Sequence, residues 1–367
     1  MFLSRNLIFV GVFFFAFLLT HFLMPLVFVM GRKLKIVDHP GARKIHDRPI
    51  IRCGGMAIFL AFWGVIFAGL VFAELFNQGK VALRISRLVT INTGFLRAHA
   101  TLMGLFIGHS LIYVSGFIDD KFNPKFGLTG KWIFQCCAAS LAVYFGIRIH
   151  FFQWEIINYL VSVIWIVGIT NSFNLLDNMN GLSAGVAAIC AGFLLWVSLL
   201  QEQYYVALVT LVLIGTLLAF LIYNFPRAKI FLGDQGSLAI GYILACLTLL
   251  ESYVDRSSAT HLGIFMPLFT LALPIFDTVS VMVIRFYQKR PLFVGDNNHL
   301  SHRLVRVGFS KVSAVLILYL LTIIFGIHAV ILVHASFFIG ILTFVQTLIV
   351  ILIITVLMTY GAKKNHL

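Results

Sequence analysis

The chain has 367 residues, 60% hydrophobic and 11% charged, with a formal net charge of +14 at pH 7. A soluble domain carries about a quarter charged residues, so water is not the main solvent here and there is no room for a large soluble domain. The basic residues stand in short loops beside apolar runs rather than on one soluble face, which argues against nucleic acid and for anionic lipid headgroups and phosphorylated substrates.

Apolar stretches of about 20 residues, enough for one helical crossing, recur along the whole chain. Eleven spans are predicted, at 7–30, 54–76, 100–118, 132–149, 156–174, 182–200, 204–224, 237–254, 262–284, 312–334 and 336–360. They make an all-α, polytopic integral membrane protein, read as a single domain over 1–367 because no repeat or Gly/Pro-rich linker divides it. The first run is too long for a signal-peptide core and no small-residue cleavage site follows it. Of the 27 Lys and Arg, 20 fall after odd-numbered spans. The positive-inside rule therefore puts the N-terminus outside and the C-terminus in the cytoplasm. The segment 77–99, with Lys80, Arg84, Arg87 and Arg97, runs against that count and reads as an interfacial amphipathic stretch. Cys53, Cys136, Cys137, Cys190 and Cys246 lack zinc-site spacing and read as buried free thiols.

With this topology the unusual polar clusters share one side. The pair Asp119 and Asp120 directly follows an apolar span, where the helix macrodipole and the membrane both disfavour negative charge, so cationic compensation is required. Neighbouring helical side chains diverge by about 100°, so one carboxylate faces the chemistry while the other orients a lysine or the backbone. The competing reading is a solvated loop start with Lys121 as partner.

In NSFNLLDNMNGLS (171–183), Asn174, Asp177 and Asn180 have i, i+3, i+6 spacing, which places three oxygen-bearing side chains on one helical stripe. Such hard ligands, without His or Cys, suit Mg²⁺ or Mn²⁺. An Asn/Gly turn accounts for Asn180-Gly181 but poorly for Asn174 and Asp177. FLGDQGS (231–237) sets Asp234 and a nest of backbone N–H groups before a new span, suited to a phosphate or its metal, although Gly-Asp helix caps are common. In VGDNNHLSHRL, His299 and His302 share a helical face with Arg303 beside them; with no third zinc ligand they read as contacts to phosphate and sugar oxygens, against a reading as surface histidines. Asp277 lies at membrane depth, equally a functional acid or a hydrogen-bonded one inside the bundle.

This set resembles the polyprenyl-phosphate N-acetylhexosamine-1-phosphate transferases (glycosyltransferase family 4), especially the bacterial branch acting on undecaprenyl phosphate and UDP-N-acetylglucosamine. The resemblance spans most of the chain. It rests on VDHPGARKIHDRPIIRCGG (37–55), GFIDDKFNPKFGLTGKWIFQ (116–135), NSFNLLDNMNGLSAG (171–185), NFPRAKIFLGDQGSL (224–238), PIFDT (274–278) and DNNHLSHRL (296–304), in that order.

The resemblance implies an eleven-helix, Mg²⁺-dependent enzyme in the bacterial inner membrane, its active site on the cytoplasmic face, that makes a polyprenyl-diphospho-sugar and UMP and so initiates a lipid-linked cell-surface glycan. It also implies Asn174 and Asp234 as Mg²⁺ ligands, Asp177 beside them and Asn180 near the uracil. Asp119 is the implied base toward the lipid phosphate, with Asp120 and Asp177 completing the catalytic carboxylates; a two-step route with an aspartate nucleophile stays open. Lys121 and Lys131 become phosphate ligands, His299, His302 and Arg303 diphosphate and sugar contacts, and His46 a further substrate-binding residue. The chain departs from the family at Ser301, where a histidine is usual.

The peptidoglycan branch, which handles a muramoyl-pentapeptide donor, is the nearer alternative. A transporter is the rival from another class, but its polar groups should line a midplane path, often on broken helices in paired halves. The expected partners are UDP-N-acetylhexosamine, undecaprenyl phosphate and membrane lipids, with no nucleic acid; a homodimer is compatible with the sequence.

Overall fold

The computed structural model describes residues 2–38, 49–77, 94–122, 127–251, 253, 262–291 and 298–364. Helices dominate: α1 (Phe2–Lys33), α2 (Gly54–Asn77), α3 (Gly94–Phe122), α4 (Gly127–Tyr144), α5 (Glu155–Leu176), α6 (Leu182–Leu200), α7 (Tyr204–Asn224), α8 (Asp234–Leu250), α9 (Met266–Thr270), α10 (Ala272–Tyr287), α11 (Leu300–Val307), α12 (Lys311–His334) and α13 (Phe337–Lys364). Among the described residues eight helices are long and apolar enough to cross a bilayer, or nine if the bent pair Leu262–Thr270 and Ala272–Tyr287 is one span. The chain is thus an all-α, multi-pass membrane protein. The other two expected spans correspond to α4 and α8, which are shorter. α4 starts at Gly127 rather than 132, drawing Lys131 into the helix.

α8 is the axis of the bundle. It is buried from Asp234 to Thr248, with α2, α3, α5, α6 and α7 packed around it. The outer faces of α1 and α13, by contrast, expose residues such as Phe22 and Leu348, as expected where lipid is the solvent. Cys136 and Cys137 also point outward from α4, unlike the other three cysteines, which are buried as expected.

Two local devices bring the site together. A short antiparallel pairing of β1 (Val37–Asp38) with β2 (Ile50–Ile51) leads into α2. Beside it, Phe231 N–H donates to the Ile51 carbonyl (2.8 Å), while Gly54 and Gly55 N–H donate to the Phe231 and Leu232 carbonyls (both 2.9 Å). The first N–H groups of α2, orphans in an isolated helix, are thereby satisfied by the segment that precedes α8.

The second device is small residues at the crossing. A Cβ on Gly55 would fall 2.3 Å from the Gly236 Cα, and one on Gly116 would fall 2.4 Å from the Gln235 Cα. Both α2 and α3 therefore meet the first turn of α8 backbone to backbone, an approach that only residues without side chains permit. It carries Arg52, Asp119 and Asp120 to Asp234.

Candidate active site

The N-terminus of α8 gathers side chains from four other segments. Asp120, in the last turn of α3, accepts the backbone N–H of Asp234 and of Gln235, each at 3.0 Å. Its carboxylate also pairs with Arg52 Nε at 3.1 Å. Asp120 is thus an N-terminal cap on α8, where negative charge is favoured by orphan donors and by the macrodipole. The N–H nest that the sequence offers to phosphate is already filled by this carboxylate.

Asp119 turns elsewhere and pairs with Lys131 of α4 at 2.7 Å. Asp234 is held from two sides, by Lys131 and by Arg52 Nη2, the latter at 2.5 Å. Two cations are thus shared among three buried acids. Lys121, the partner that proximity suggested, stays exposed over the Phe117 and Phe122 rings, 6.0 and 5.2 Å from their centroids. Arg52 is the residue that sequence reasoning missed. It is the last cation of the basic loop and abuts the Gly54-Gly55 pair.

The end of α5 brings an amide to the same place. Asn174 Nδ2 donates to Ser237 Oγ at 2.9 Å, one turn into α8 from Asp234, so its Oδ1 is not the atom used in that bond. One turn earlier on α5, Asn171 and Gln135 of α4 exchange amide hydrogen bonds. The helix stops at Leu176 with Asp177 as C-cap, so the expected stripe does not reach Asn180. Asn180 instead lies in a surface turn, its Nδ2 3.4 Å from the Pro226 carbonyl.

Asp177 is half-buried; its backbone N–H donates to the Asn174 carbonyl at 3.3 Å, while its carboxylate makes no hydrogen bond or ion pair among the described residues. Burial pushes its carboxyl up to about 7, against the pull of Arg52, with Asp234 and Asp120 adding to the rise. A folded value above the unfolded one, 3.8, means that its stabilising contribution is full below 3.8 and is lost as pH rises to about 7. Asp177→Asn, neutral at every pH, is therefore expected to gain in melting temperature over the wild type across that interval and to hold the gain at higher pH. A difference independent of pH in detergent melts would contradict this.

The last basic arm docks from the side. Asp277 of α10 lies against His299 Nδ1 (2.7 Å) and accepts the Leu300 N–H (2.6 Å). The intramembrane acid is thus the hydrogen-bonded kind. Ser301 is buried and donates to Asn178 Oδ1 at 2.6 Å, so this departure from the family pattern fastens α11 to the turn after α5. Arg303 Nη2 donates to Ser280 Oγ at 2.5 Å, while its Nε–H is buried and has no partner. Burial, with His299 and Arg306 adding, lowers His302, which favours a neutral hydrogen-bonding ring. His46 lies outside the described residues, as does most of segment 77–99.

Among the described residues no three His, Cys, Asp or Glu side chains converge as a metal cluster. The donors still fit Mg²⁺, which takes one or two carboxyl groups and completes its shell with water and phosphate oxygens. Asp234 is such a carboxylate, and Asn174 is tied to Ser237, one turn further along α8. The buried Gln235 Oε1, next to Asp234, adds an oxygen with no hydrogen-bond donor among the described residues, the kind of atom a bound ligand would satisfy.

A family model described as Glycosyl transferase family 4 matches residues 102–252, which include Asp119, Lys131, Asn174, Asp177 and Asp234. A probable undecaprenyl-phosphate N-acetylglucosaminyl 1-phosphate transferase of Bacillus subtilis (strain 168) is 34% identical over 321 residues, 85% of this chain and 81% of the relative. A decaprenyl-phosphate N-acetylglucosaminephosphotransferase of Mycobacterium tuberculosis (strain ATCC 25618 / H37Rv) is 29% identical over 83% of this chain and 78% of its own length. A phospho-N-acetylmuramoyl-pentapeptide-transferase of Lactiplantibacillus plantarum reaches 46%, but over only 25% of this chain and 28% of its own. With a family model matching 102–252 and a relative 34% identical over 85% of this chain, the chain belongs to glycosyl transferase family 4.

Proposed function

We propose that this chain transfers N-acetylglucosamine 1-phosphate from UDP-N-acetylglucosamine to undecaprenyl phosphate, releasing UMP and starting a lipid-linked cell-surface glycan. The observation that carries the reading is the charged centre at the start of α8, where Arg52 and Lys131 are shared among Asp119, Asp120 and Asp234. The names of the full-length relatives supply the sugar and the lipid.

In this reaction an oxygen of the lipid phosphate attacks the sugar-bearing phosphorus of the donor. The bond from that phosphorus to the bridging oxygen breaks, and its electron pair leaves with UMP. The protein's tasks are to align two anions and offset their charge. Asp119, steered by Lys131, is the acceptor toward the lipid phosphate and takes its proton when the monoester arrives protonated. Asn174 Oδ1 and Asp234 would hold Mg²⁺, which when bound offsets charge on the diphosphate and eases the departure of UMP. Lys131 lies between the two partners and can pass from carboxylate to phosphate. His302 and the unpaired Nε–H of Arg303 bind the sugar and diphosphate. The excess of Lys and Arg at this end of the bundle supports placing the centre on the cytoplasmic side of a bacterial inner membrane.

The test is UMP release by purified protein given UDP-N-acetylglucosamine and undecaprenyl phosphate. Release is expected only with the lipid and Mg²⁺ both present, and to stop on chelation. No release from monodisperse, folded protein with any UDP-N-acetylhexosamine would overturn the assignment.

A further inference from the structure

The short amphipathic helix α11 carries His302 and Arg303, yet it has only eight residues. An isolated helix of that length does not hold its own shape in water. Its position must be set from outside: Ser301 ties it to Asn178, α12 and α13 pack against it, and α10 provides two further polar contacts. Asp277 and Ser280 are three apart on α10 and so share one face. Asp277, 1% exposed, uses one oxygen for His299 Nδ1 and the other for the Leu300 N–H, closing off the start of α11. Ser280 takes Arg303 Nη2 one turn on, and its own hydroxyl donates back to the Asp277 carbonyl at 3.0 Å.

We propose that Asp277 is a positioning residue for the donor: with Ser280 it forms a two-point cradle that aims the His302 and Arg303 face of α11 at the sugar nucleotide. This rests on the transferase reading of the site. Asp277 does not touch substrate, since both its oxygens are committed to α11. His299, 3% exposed, is by the same geometry the inner half of the latch rather than a substrate contact. The cradle leaves the lipid side untouched, because Asp119 and Lys131 are placed by α3 and α4. Its loss should weaken the donor selectively.

The test compares Asp277→Leu, Asp277→Asn and Ser280→Ala in the full-length protein, reading the Kd for UDP-N-acetylglucosamine by calorimetry together with KM for donor and lipid. Residues that orient a ligand-binding side chain typically contribute about 10–100-fold. Asp277→Leu is expected to weaken donor Kd and KM by that factor, leaving lipid KM within about twofold. Asp277→Asn can still accept from Leu300 N–H and donate to His299 Nδ1 once the ring shifts its proton to Nε2, so it should stay within about threefold of wild type. Ser280→Ala releases only Arg303 and should show the same selective loss, near tenfold; it decides the matter if Asp277→Leu does not fold. Wild-type donor affinity in both Asp277→Leu and Ser280→Ala, or equal losses for donor and lipid, would overturn the cradle while wild-type turnover leaves the transferase reading standing. A wild type that neither binds the donor nor releases UMP would overturn both.

Discussion

Lys131→Met should reduce kcat/KM for UMP release by about 10²–10³-fold, the scale for removing one placed donor from a reacting phosphate or oxyanion. Lys131 Nζ is the sole described cation on Asp119 and one of two on Asp234, and its side chain is only 16% exposed. Deleting it leaves two buried carboxylates facing each other with Arg52 alone between them and solvent. Breaking a buried pair by removing one partner costs about 3–5 kcal/mol; this cluster is partly open at Arg52, so the lower end applies. A reduced melting temperature should therefore accompany the lost activity. Lys131→Arg is not expected to rescue it, because a planar fork cannot replace a compact ammonium placed between two carboxylates from different helices. Turnover of Lys131→Met within threefold of the wild type would contradict this account.

The adjacent acids should separate just as clearly. Asp120 caps two buried N–H groups of α8 and anchors Arg52. Asp120→Ala strips the acceptor from both, at about 1–3 kcal/mol for each unsatisfied group, so it should lower stability and activity together. Asp119 makes one ion pair and caps nothing. Asp119→Asn should keep the fold and lose about 10²–10⁴ in kcat, the usual value of a placed acid or base. Detergent melts beside initial rates make the comparison. If Asp120→Ala kept the wild-type melting temperature yet lost turnover, Asp120 would belong to the chemistry and its capping role would be secondary.

How much of this was legible in the sequence depended on the range of the interaction. Long apolar runs announced α1, α2, α7, α12 and α13 because hydropathy is a local property. α4 was misplaced by five residues because Thr129, Lys131 and Gln135 interrupt its apolar pattern, although they belong to the helix. The run from 262 to 284 read as one span, yet it bends by 68° between Thr270 and Ala272. Pro267 and Pro274 each sit in the first turn of a helix, where a missing N–H costs nothing, and their spacing was the available signal for two starts. The two-residue strands of the hairpin were too short to register as a pattern.

The site divided in the same way. Acids and amides at helix ends stood out because polar groups are costly there, and Asp119, Asn174, Asp177 and Asp234 do lie at one end of α8's bundle. Their partners were hidden by chain distance: Arg52 and Asp234 are 182 positions apart, and Asp277 meets His299 across the segment joining α10 to α11. The helical extrapolation from Asn174 to Asn180 failed because α5 ends at Leu176 with Asp177 as its C-cap, before Gly181, with φ of 77°, turns the chain into α6.

Asp234, at the start of α8, is the carboxylate shared by Arg52, Lys131 and the proposed metal. The most direct measurement is UMP release from UDP-N-acetylglucosamine and undecaprenyl phosphate by wild type and Asp234→Ala, each confirmed folded by its melting profile. Lipid- and Mg²⁺-dependent release is expected from the wild type, with a loss of at least about 10²-fold in the variant. Undiminished release by folded Asp234→Ala would place the chemistry elsewhere in the protein.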